Sequence, residues 1–531
     1  MRVFMETFGC QMNELDSELV RGQLSALGYR MVESDADAQV ILFNTCSVRA
    51  LAEQKTLSRV GAVAVRKRAG EDLILGVLGC MAERDGLDLL RRHPQVDLLC
   101  GPSDLDRLPQ LIDNVHRARR SEGSAGPARR VDAPSVALSG NRSRRSSTLA
   151  AAEDGLESLD LSRSFDPSAR ERPWSAYVRI TRGCNKFCTY CVVPRTRGAE
   201  VHRPPGNIVD ECRRLADAGA IEITLLGQTV NHYRYTPGAS MTVDGRELPQ
   251  VGPGLGAFRQ DQRPSGGTVT FADLLFRIHE SVPGLKRLRF VTSYPRDFGT
   301  DVLQAMRDCP RICRYLHAPA QSGSDEVLRR MNRGYTVREY EEFVANVFDR
   351  LPDATLAGDL IVGFPGETDV DFDATCSLVR RLPFKNNFIF KYSPRPGTTA
   401  FDRLPDDVPD EVKRWRNNAL LAVQSETSAR VHLGWVGREV DVLFDDVRLH
   451  QPPRAPSGVT VPVLVGGKAI PSGPAAPSDG WQAVGRTAGD LIVAVKTPDA
   501  EAARLLTGQV RRVRVTASRP LLLVGDPVDG Q

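Results

Sequence analysis

The chain has 531 residues, too many for a single hydrophobic core, and this length predicts about three domains. Its 70 Lys and Arg residues against 66 Asp and Glu leave a net charge of +4, which permits nucleic-acid binding without requiring it. The odd total of eleven cysteines argues against a secreted disulfide framework, and the lack of a signal pattern or membrane-length apolar run predicts a cytoplasmic protein with no membrane segment.

Residues 1–118 alternate strand and helix patterns. The stretches 3–8, 39–43 and 73–78 are short, apolar and partly β-branched, as buried parallel strands are. Asn13 is predicted to cap the helix after the first strand. The pattern predicts an N-terminal doubly wound parallel-sheet domain. Residues 119–171, rich in Arg, Ser, Ala, Gly and Pro, predict a flexible linker with a short helix near 149–159.

A β-then-α rhythm returns between residues 172 and 428. Six strands are predicted, at 176–181, 222–226, 288–292, 315–318, 357–362 and 388–392. Six βα units predict a partial (β/α)6 barrel whose functional face lies at the carboxyl ends of its strands. A Pro- and Gly-rich insertion at 233–270 interrupts this rhythm.

The C-terminal residues 434–525 follow a predicted helix at 410–433. Their strand composition predicts a small all-β barrel of the oligonucleotide-binding type, and a second insertion, 450–480, lies within it.

Three cysteines in residues 183–191 have C-x3-C-x2-C spacing. Cys184, Cys188 and Cys191 could hold three corners of a 4Fe–4S cluster, which leaves the fourth iron open to another ligand. The alternatives are a zinc knuckle completed by His202, or three unrelated cysteines. Zinc sites usually pair their cysteines at C-x2–4-C with a distant second pair, so the spacing favours the cluster.

Cys10, Cys46 and Cys80 each follow a predicted strand of the N-terminal domain. Because the carboxyl ends of parallel strands meet at one sheet edge, the three thiols could converge on a second site. The alternative is that they are buried as small hydrophobic residues. Cys100 also follows a strand-like run, so position alone leaves both interpretations open.

Several segments resemble the methylthiotransferase family of radical S-adenosylmethionine enzymes. Residues 7–13, 44–49 and 79–82 are similar to the three cysteine segments of that family, and residues 183–198 are similar to its radical cluster motif. The resemblance extends through 226–231, 319–324 and 359–368 to a C-terminal segment similar to a TRAM domain. The linker and the two insertions have no counterpart in the family pattern.

The resemblance implies two 4Fe–4S clusters, with S-adenosylmethionine as co-substrate. The Cys184/Cys188/Cys191 cluster would reduce S-adenosylmethionine and release a 5′-deoxyadenosyl radical, while the Cys10/Cys46/Cys80 cluster would carry the sulfur to be inserted. The nearest branch converts N6-(dimethylallyl)adenosine at position 37 of tRNAs to its 2-methylthio derivative. The alternatives are branches that act on threonylcarbamoyladenosine in tRNA or on an aspartate of a ribosomal protein.

Polar residues at the ends of the central strands are candidate contacts for S-adenosylmethionine. They are Gln228, Asn231, Ser293, Gln321, Asp359 and Arg395. Each could instead be a loop cap or turn residue. Arg511, Arg512 and Arg514 are candidate contacts to RNA phosphate in the C-terminal barrel. No catalytic acid or base is assigned.

The partners implied are tRNA, through an anticodon-loop adenosine, together with an electron donor and a sulfur source whose identities the residues leave open. We expect a monomer. A rival of another class is an iron–sulfur protein that binds RNA or transfers electrons without turnover, and a third interpretation is a zinc hydrolase.

Overall fold

The computed structural model describes residues 1–47, 50–121, 136–138, 155–167, 170–238, 242–243, 246–252, 267–449, 464–465, 468–469 and 480–528. The chain divides into two compact units. The first comprises Met1–Ile312, Arg330–Gly334 and Ser393–Pro405, and the second comprises Cys313–Arg329, Tyr335–Tyr392 and Asp406–Gln531. Most of the predicted linker and much of both predicted insertions lie outside the described residues.

A parallel sheet in the order β2-β1-β3-β4-β5-β6 forms the N-terminal part of the first unit. Its strands are β1 (Arg2–Phe8), β2 (Arg30–Met31), β3 (Val40–Thr45), β4 (Ile74–Gly79), β5 (Leu98–Cys100) and β6 (Val136–Ala137). The helices are α1 (Gln11–Ala26), α2 (Ala50–Arg68), α3 (Cys80–Asp85), α4 (Leu87–Arg92) and α5 (Leu108–Ser121). Val40 and Leu42 belong to one apolar cluster and Ile41 and Phe43 to another, so both faces of the sheet are covered. The doubly wound prediction is confirmed.

Helix α1 begins one turn earlier than predicted. Cys10, and not Asn13, occupies the N-cap position, and Asn13 is the third helical residue. The prediction was wrong because the Asn13 side chain reaches back to the backbone N–H of Cys10, at 3.3 Å, as the third residue of a capping box does.

The central part of the first unit contains a parallel sheet in the order β16-β10-β7. Its strands, with the shorter ones between them, are β7 (Ser175–Arg179), β8 (Thr181–Arg182), β9 (Val201–His202), β10 (Glu222–Leu226), β11 (Arg234–Tyr235), β12 (Thr242–Val243), β13 (Arg246–Glu247), β14 (Gln250–Val251), β15 (Val269–Thr270) and β16 (Arg287–Phe290). The helices are α6 (Leu156–Leu161), α7 (Val193–Thr196), α8 (Pro205–Asp217), α9 (Phe271–Ser281) and α10 (Thr300–Asp308).

Buried ion pairs join the N-terminal sheet to the central part of this unit. Asp16 of α1 accepts from Arg179 of β7 at 3.0 Å, and Arg179 also binds Asp160 of α6 at 2.7 Å. Glu18 pairs with Arg163 at 2.6 Å. Removing one member of such a buried pair leaves an uncompensated charge, so the pairs hold α1 against the central strands.

The second unit contains another parallel sheet, in the order β17-β18-β19. Its strands are β17 (Tyr315–His317), β18 (Thr355–Val362) and β19 (Phe384–Lys391). The helices are α11 (Asp325–Arg330), α12 (Val337–Arg350), α13 (Asp369–Arg381) and α15 (Asp410–Leu433), while α14 (Thr399–Arg403) belongs to the first unit. All six predicted central strands are therefore present, as two parallel sheets of three.

A closed barrel in the order β20-β23-β24-β26-β25 follows α15. The strands of this region are β20 (Glu439–Leu449), β21 (Leu464–Val465), β22 (Lys468–Ala469), β23 (Trp481–Thr487), β24 (Ile492–Thr497), β25 (Val510–Arg519) and β26 (Leu522–Pro527), with α16 at Ala500–Leu506. Val442, Phe444, Val493 and Val513 fill its core. The predicted small all-β barrel is confirmed. Among the described helices, none combines the length and apolar character needed to span a bilayer.

Candidate functional site

The thiols of Cys10, Cys46 and Cys80 meet at one edge of the N-terminal sheet. They directly follow β1, β3 and β4, which are neighbours in the sheet. The Cys46 side chain is hydrogen-bonded to Cys10, and Cys80 interacts electrostatically with Cys10. None of the three forms a disulfide. The convergence expected from the strand ends is therefore present.

A small amide network orients the loops that carry these thiols. Asn13 Nδ2 donates to Asn44 Oδ1 at 3.1 Å, and Asn44 Nδ2 donates to the carbonyl of Asn13 at 3.0 Å. Gly79, just before Cys80, has φ +88°, and a Cβ there would lie 2.4 Å from Asn44 Oδ1. Only glycine fits this position, so the network and the turn together fix the Cys80 backbone.

Arg197 is the cation beside this thiol set. Its guanidinium donates to Asp16 Oδ2 at 2.8 Å and also forms a hydrogen bond with Cys80. The hydrogen bond from Cys46 and, to a smaller extent, the charge of Arg197 outweigh the effect of burial and lower the pKa of the Cys10 thiol to about 6. Burial raises the pKa of Cys80.

Cys184, Cys188 and Cys191 lie on a loop that the rest of the unit holds in place. The loop begins at Gly183, with φ +65°, where a Cβ would lie 2.0 Å from the carbonyl oxygen of Ala199. Thr189 N–H donates to the carbonyl of Met331 at 3.1 Å, and Asn332 Nδ2 donates to the carbonyl of Phe187 at 3.1 Å. These contacts fix the backbone of the loop that carries the three thiols.

The second thiol set also has a neighbouring cation. Arg333 Nη1 donates to Cys188 Sγ at 3.4 Å. Burial, together with the charge of Cys188, raises the pKa of Cys191 to about 12. Helix α3, which begins at Cys80, packs against α7, which begins two residues after Cys191, so the two thiol sets lie close to each other within the first unit.

The donor chemistry of both sets fits iron–sulfur clusters. Each set offers three cysteine sulfurs that form no disulfide, together with a nearby arginine that offsets the negative charge of thiolates. Cys100 is the last residue of β5, and its thiol instead donates to the carbonyl of Asp104 at 3.2 Å. His202 does not complete the loop's thiol set, because its ring nitrogens contact Glu200 and the backbone of Arg234.

Four predicted cofactor contacts lie in the first unit. Gln228 is partly exposed after β10. Ser293 is buried, and its hydroxyl has no hydrogen-bond partner among the described residues. The amide of Asn231 is fully engaged by the backbone of Tyr294, at 2.9 and 2.8 Å. Arg395 is paired with Glu53 at 2.9 Å.

Gln321 and Asp359 lie in the second unit. Gln321 has φ +69°, its N–H donates to the carbonyl of Asp359 at 2.8 Å, and its side-chain oxygen has no hydrogen-bond partner among the described residues. Asp359 Oδ1 is 3.5 Å from His317 Nε2. In the barrel, Arg512 and Arg514 both pair with Glu439, at 3.2 and 2.7 Å. Their charge is therefore partly compensated before any RNA binds.

Sequence reasoning missed the roles of several residues around the thiols. Arg197 lies within the cysteine segment 183–198, but no feature of that segment's sequence indicates that its side chain reaches Asp16. Lys186 forms a buried ion pair with Asp297 and lies 4.7 Å above the Tyr294 ring. Arg333 is 145 residues from its thiol partner. These contacts depend on long-range packing, which spacing does not encode.

Comparison with known families and proteins accounts for the two halves of this site. Residues 2–101 match the uncharacterized protein family UPF0004, and residues 178–379 match the radical SAM superfamily. The second match confirms the fold class predicted for the central region. A solved radical S-adenosylmethionine methyltransferase, TsrM from Kitasatospora setae, is 15% identical with a TM-score of 0.48, over 75% of this chain and 77% of that chain.

Curated relatives match over most of their length. The tRNA-2-methylthio-N(6)-dimethylallyladenosine synthase of Rhodopirellula baltica is 43% identical over 83% of this chain and 83% of its own. The enzyme of the same name from Moorella thermoacetica is 36% identical over 99% of this chain and 98% of its own. The protein therefore belongs to the family of tRNA-2-methylthio-N(6)-dimethylallyladenosine synthases, which carries a radical SAM domain.

Proposed function

We propose that the protein converts N6-(dimethylallyl)adenosine at position 37 of tRNAs to 2-methylthio-N6-(dimethylallyl)adenosine. The observation that carries the proposal is the proximity of two three-thiol sets within one compact unit, in a chain of this family. Methylthiolation needs both a radical source and a sulfur source, and one set serves each role. Because tRNA is the substrate, the site of action is the cytoplasm.

Cys184, Cys188 and Cys191 would hold the cluster that binds S-adenosylmethionine, and Cys10, Cys46 and Cys80 would hold the auxiliary cluster. When bound, these cofactors supply the electron transfer, the radical chemistry and the sulfur that side chains cannot provide at an unactivated aromatic C–H bond. Three cysteines per cluster leave one iron of each without a protein ligand.

The chain's own residues position these groups and hold compensating charge. Arg197 and Arg333 place a positive charge against each thiol set. Of the candidate S-adenosylmethionine contacts, Ser293 and Gln321 are best supported, because each has a buried oxygen without a partner among the described residues. Gln228 and Asp359 are further candidates.

Asn231 and Arg395 act by positioning in this proposal, since Asn231 holds the Tyr294 backbone and Arg395 holds Glu53. In the barrel, Arg511, Arg512 and Arg514 would contact tRNA phosphates. A phosphate would then replace the Glu439 carboxylate as the partner of Arg512 and Arg514. Unstacked loop nucleotides are the usual targets of base-specific RNA recognition, which suits a substrate in the anticodon loop.

Nucleoside mass analysis of tRNA from cells lacking this protein tests the proposal. We expect selective loss of 2-methylthio-N6-(dimethylallyl)adenosine and accumulation of its precursor, with recovery on expression of the wild-type chain but not of Cys46→Ser. Loss of the methylthio derivative of threonylcarbamoyladenosine instead would identify that nucleoside as the substrate. Unchanged tRNA would favour the ribosomal-protein branch instead.

A separate assay addresses the non-catalytic rival. Anaerobically reconstituted protein is expected to cleave S-adenosylmethionine reductively, with Cys188→Ser as the inactive control. Iron and acid-labile sulfide without any cleavage would favour an iron–sulfur protein that binds RNA without turnover.

A further inference from the structure

Glu200 lies in the first unit between two histidines. Its Oε1 atom is 2.8 Å from His202 Nε2 and 2.5 Å from His232 Nδ1. All three residues are buried, and their ligand atoms lie within 4.8 Å of one another. His202 ends β9, and His232 follows β10, so two separate segments bring their rings to a single carboxylate. Each of these contacts requires a proton or a cation between the two atoms.

This carboxylate differs from the other buried carboxylates that the structure describes in the same unit. Each of those forms an ion pair with an arginine or a lysine; they are Asp16, Asp104, Glu157, Asp160, Glu211 and Asp297. Glu200 has only the two imidazoles within ion-pairing distance among the described residues. A buried carboxylate needs a compensating positive charge, and neutral imidazoles do not supply one.

The second oxygen of Glu200 points to the same conclusion. Oε2 is buried and has no hydrogen-bond partner among the described residues. A buried carboxylate oxygen without a donor is costly, which makes it available to a cation. The site is also closed on one side, since a Cβ at Gly252 would lie 2.8 Å from His202 Nε2.

The outer contact of His202 suits a metal ligand. Its Nδ1 atom is 2.7 Å from the carbonyl oxygen of Arg234, and imidazoles that bind metals usually donate their other N–H to such an acceptor. When Nδ1 carries the proton, the lone pair of Nε2 faces Glu200 and can bind a cation. When Nδ1 instead accepts from the Arg234 N–H, which lies 3.0 Å away, Nε2 carries the proton and donates to Glu200, as in a network without a metal.

We propose that Glu200, His202 and His232 bind one divalent transition-metal cation of the zinc type, separate from the iron–sulfur clusters. Two neutral imidazoles and one carboxylate are a common ligand set for such ions and provide the missing positive charge. The site is structural. It ties β9 to the segment after β10 behind the cluster loop, where the Glu200 N–H donates to Asn185 Oδ1, next to Cys184, at 3.1 Å.

Zinc supplied during growth is the probe. The full-length protein, purified anaerobically with its clusters, is expected to retain about one zinc per chain, and its zinc K-edge absorption to show only nitrogen and oxygen ligands at about 2.0–2.1 Å. His232→Asn and His202→Asn are expected to lower retained zinc at least about tenfold. His279→Asn, a histidine of α9 outside the group, is the matched control and should retain it.

Sulfur ligands around the zinc would place it on cysteines and overturn the proposal, as would zinc retention that is equal in wild type and His232→Asn. Because the wild-type absorption spectrum needs no variant, a variant that fails to fold does not weaken the test. Methylthiolation of tRNA is measured in parallel. Zinc retained without methylthiolation counts against the proposed function alone, and methylthiolation without zinc counts against this inference alone.

Discussion

The two thiol sets reach the same donor chemistry by different structural routes. Cys184, Cys188 and Cys191 share one loop of nine residues, 183–191, whose backbone is anchored by distant segments. Cys10, Cys46 and Cys80 come from the ends of three neighbouring strands and meet only when the sheet forms. The loop site therefore depends on anchoring contacts, and the sheet site depends on strand order and register.

The comparison predicts that the sheet site is more sensitive to changes in the surrounding fold. Its geometry needs correct β1, β3 and β4 pairing, an amide network and a glycine turn. The loop site carries its spacing in the sequence itself. Three experiments test this difference, in order of decreasing expected effect, and a fourth with the smallest expected effect compares both sites with the C-terminal barrel.

The largest effect is expected from serine substitutions in each set. Cys46→Ser should lower iron from about eight to about four atoms per chain and abolish tRNA methylthiolation, while reductive cleavage of S-adenosylmethionine persists. Cys188→Ser should abolish both reactions. The control is Cys100→Ser at the end of β5, where the serine hydroxyl can keep the hydrogen bond to Asp104. Methylthiolation that survives Cys46→Ser would refute the sheet site as the auxiliary cluster.

The next effect concerns the glycine turn of the sheet site. Gly79→Ala is expected to destabilise the protein by about 1–3 kcal/mol and to lower the iron content of the sheet site, because the added Cβ meets Asn44 and strains a positive φ. Gly61→Ala, with open space around its Cβ in α2, should instead stabilise by about 0.5–1 kcal/mol. Urea unfolding and iron analysis measure both. Equal stability and equal iron content in the two variants would show that the turn at Gly79 does not determine the geometry of the sheet site.

A smaller effect is expected from the cation beside the sheet site. Arg197→Gln should lower the free energy of unfolding by about 1–3 kcal/mol. It should also move the midpoint potential of the auxiliary cluster to a more negative value, because loss of positive charge favours the oxidised cluster. Arg195→Gln is the control, since Arg195 is half-exposed and its nearest carboxylate, Asp402, is 3.9 Å away. A redox titration monitored by EPR distinguishes them. An unchanged potential in Arg197→Gln would separate Arg197 from the cluster.

The smallest effect lies in the C-terminal barrel. Glu439→Gln should raise tRNA affinity a few-fold, because Arg512 and Arg514 then lose their carboxylate partner and can bind phosphate. The slope of log affinity against log salt concentration should become steeper by about one. Glu501→Gln removes an exposed carboxylate of α16 and controls for net charge. Filter-binding measurements at several salt concentrations report the slope. The same increase in tRNA affinity in both variants would mean that the change in net charge alone, and not the release of Arg512 and Arg514, strengthens binding.

The sequence was sufficient where chemistry and spacing coincide. The three cysteines of the loop, the six central strands and the C-terminal barrel could all be predicted from local patterns. Cys10, Cys46 and Cys80 could be grouped because parallel strands end at a common edge. The helix start at Cys10 was misassigned because Asn13 is a frequent cap residue, and the structure uses it at the third position.

Contacts between distant segments could not be predicted. Nothing local indicates that Asn231 binds the Tyr294 backbone, that Arg512 and Arg514 share Glu439, or that two histidines converge on Glu200. Each of these depends on which side chains the folded chain brings within about 3 Å, and hydrogen-bonding distance is set by packing over the whole unit.

The buried ion pairs of α1 limit how this protein can be cut. A fragment ending at residue 118 would retain Asp16 and Glu18 but lose their guanidinium partners Arg163, Arg179 and Arg197. An excised N-terminal piece is therefore expected to aggregate or to assemble no cluster, and it would also lack the edge strand β6 (Val136–Ala137) of its sheet. Only a polypeptide that extends at least through residue 197 carries all three of these arginines.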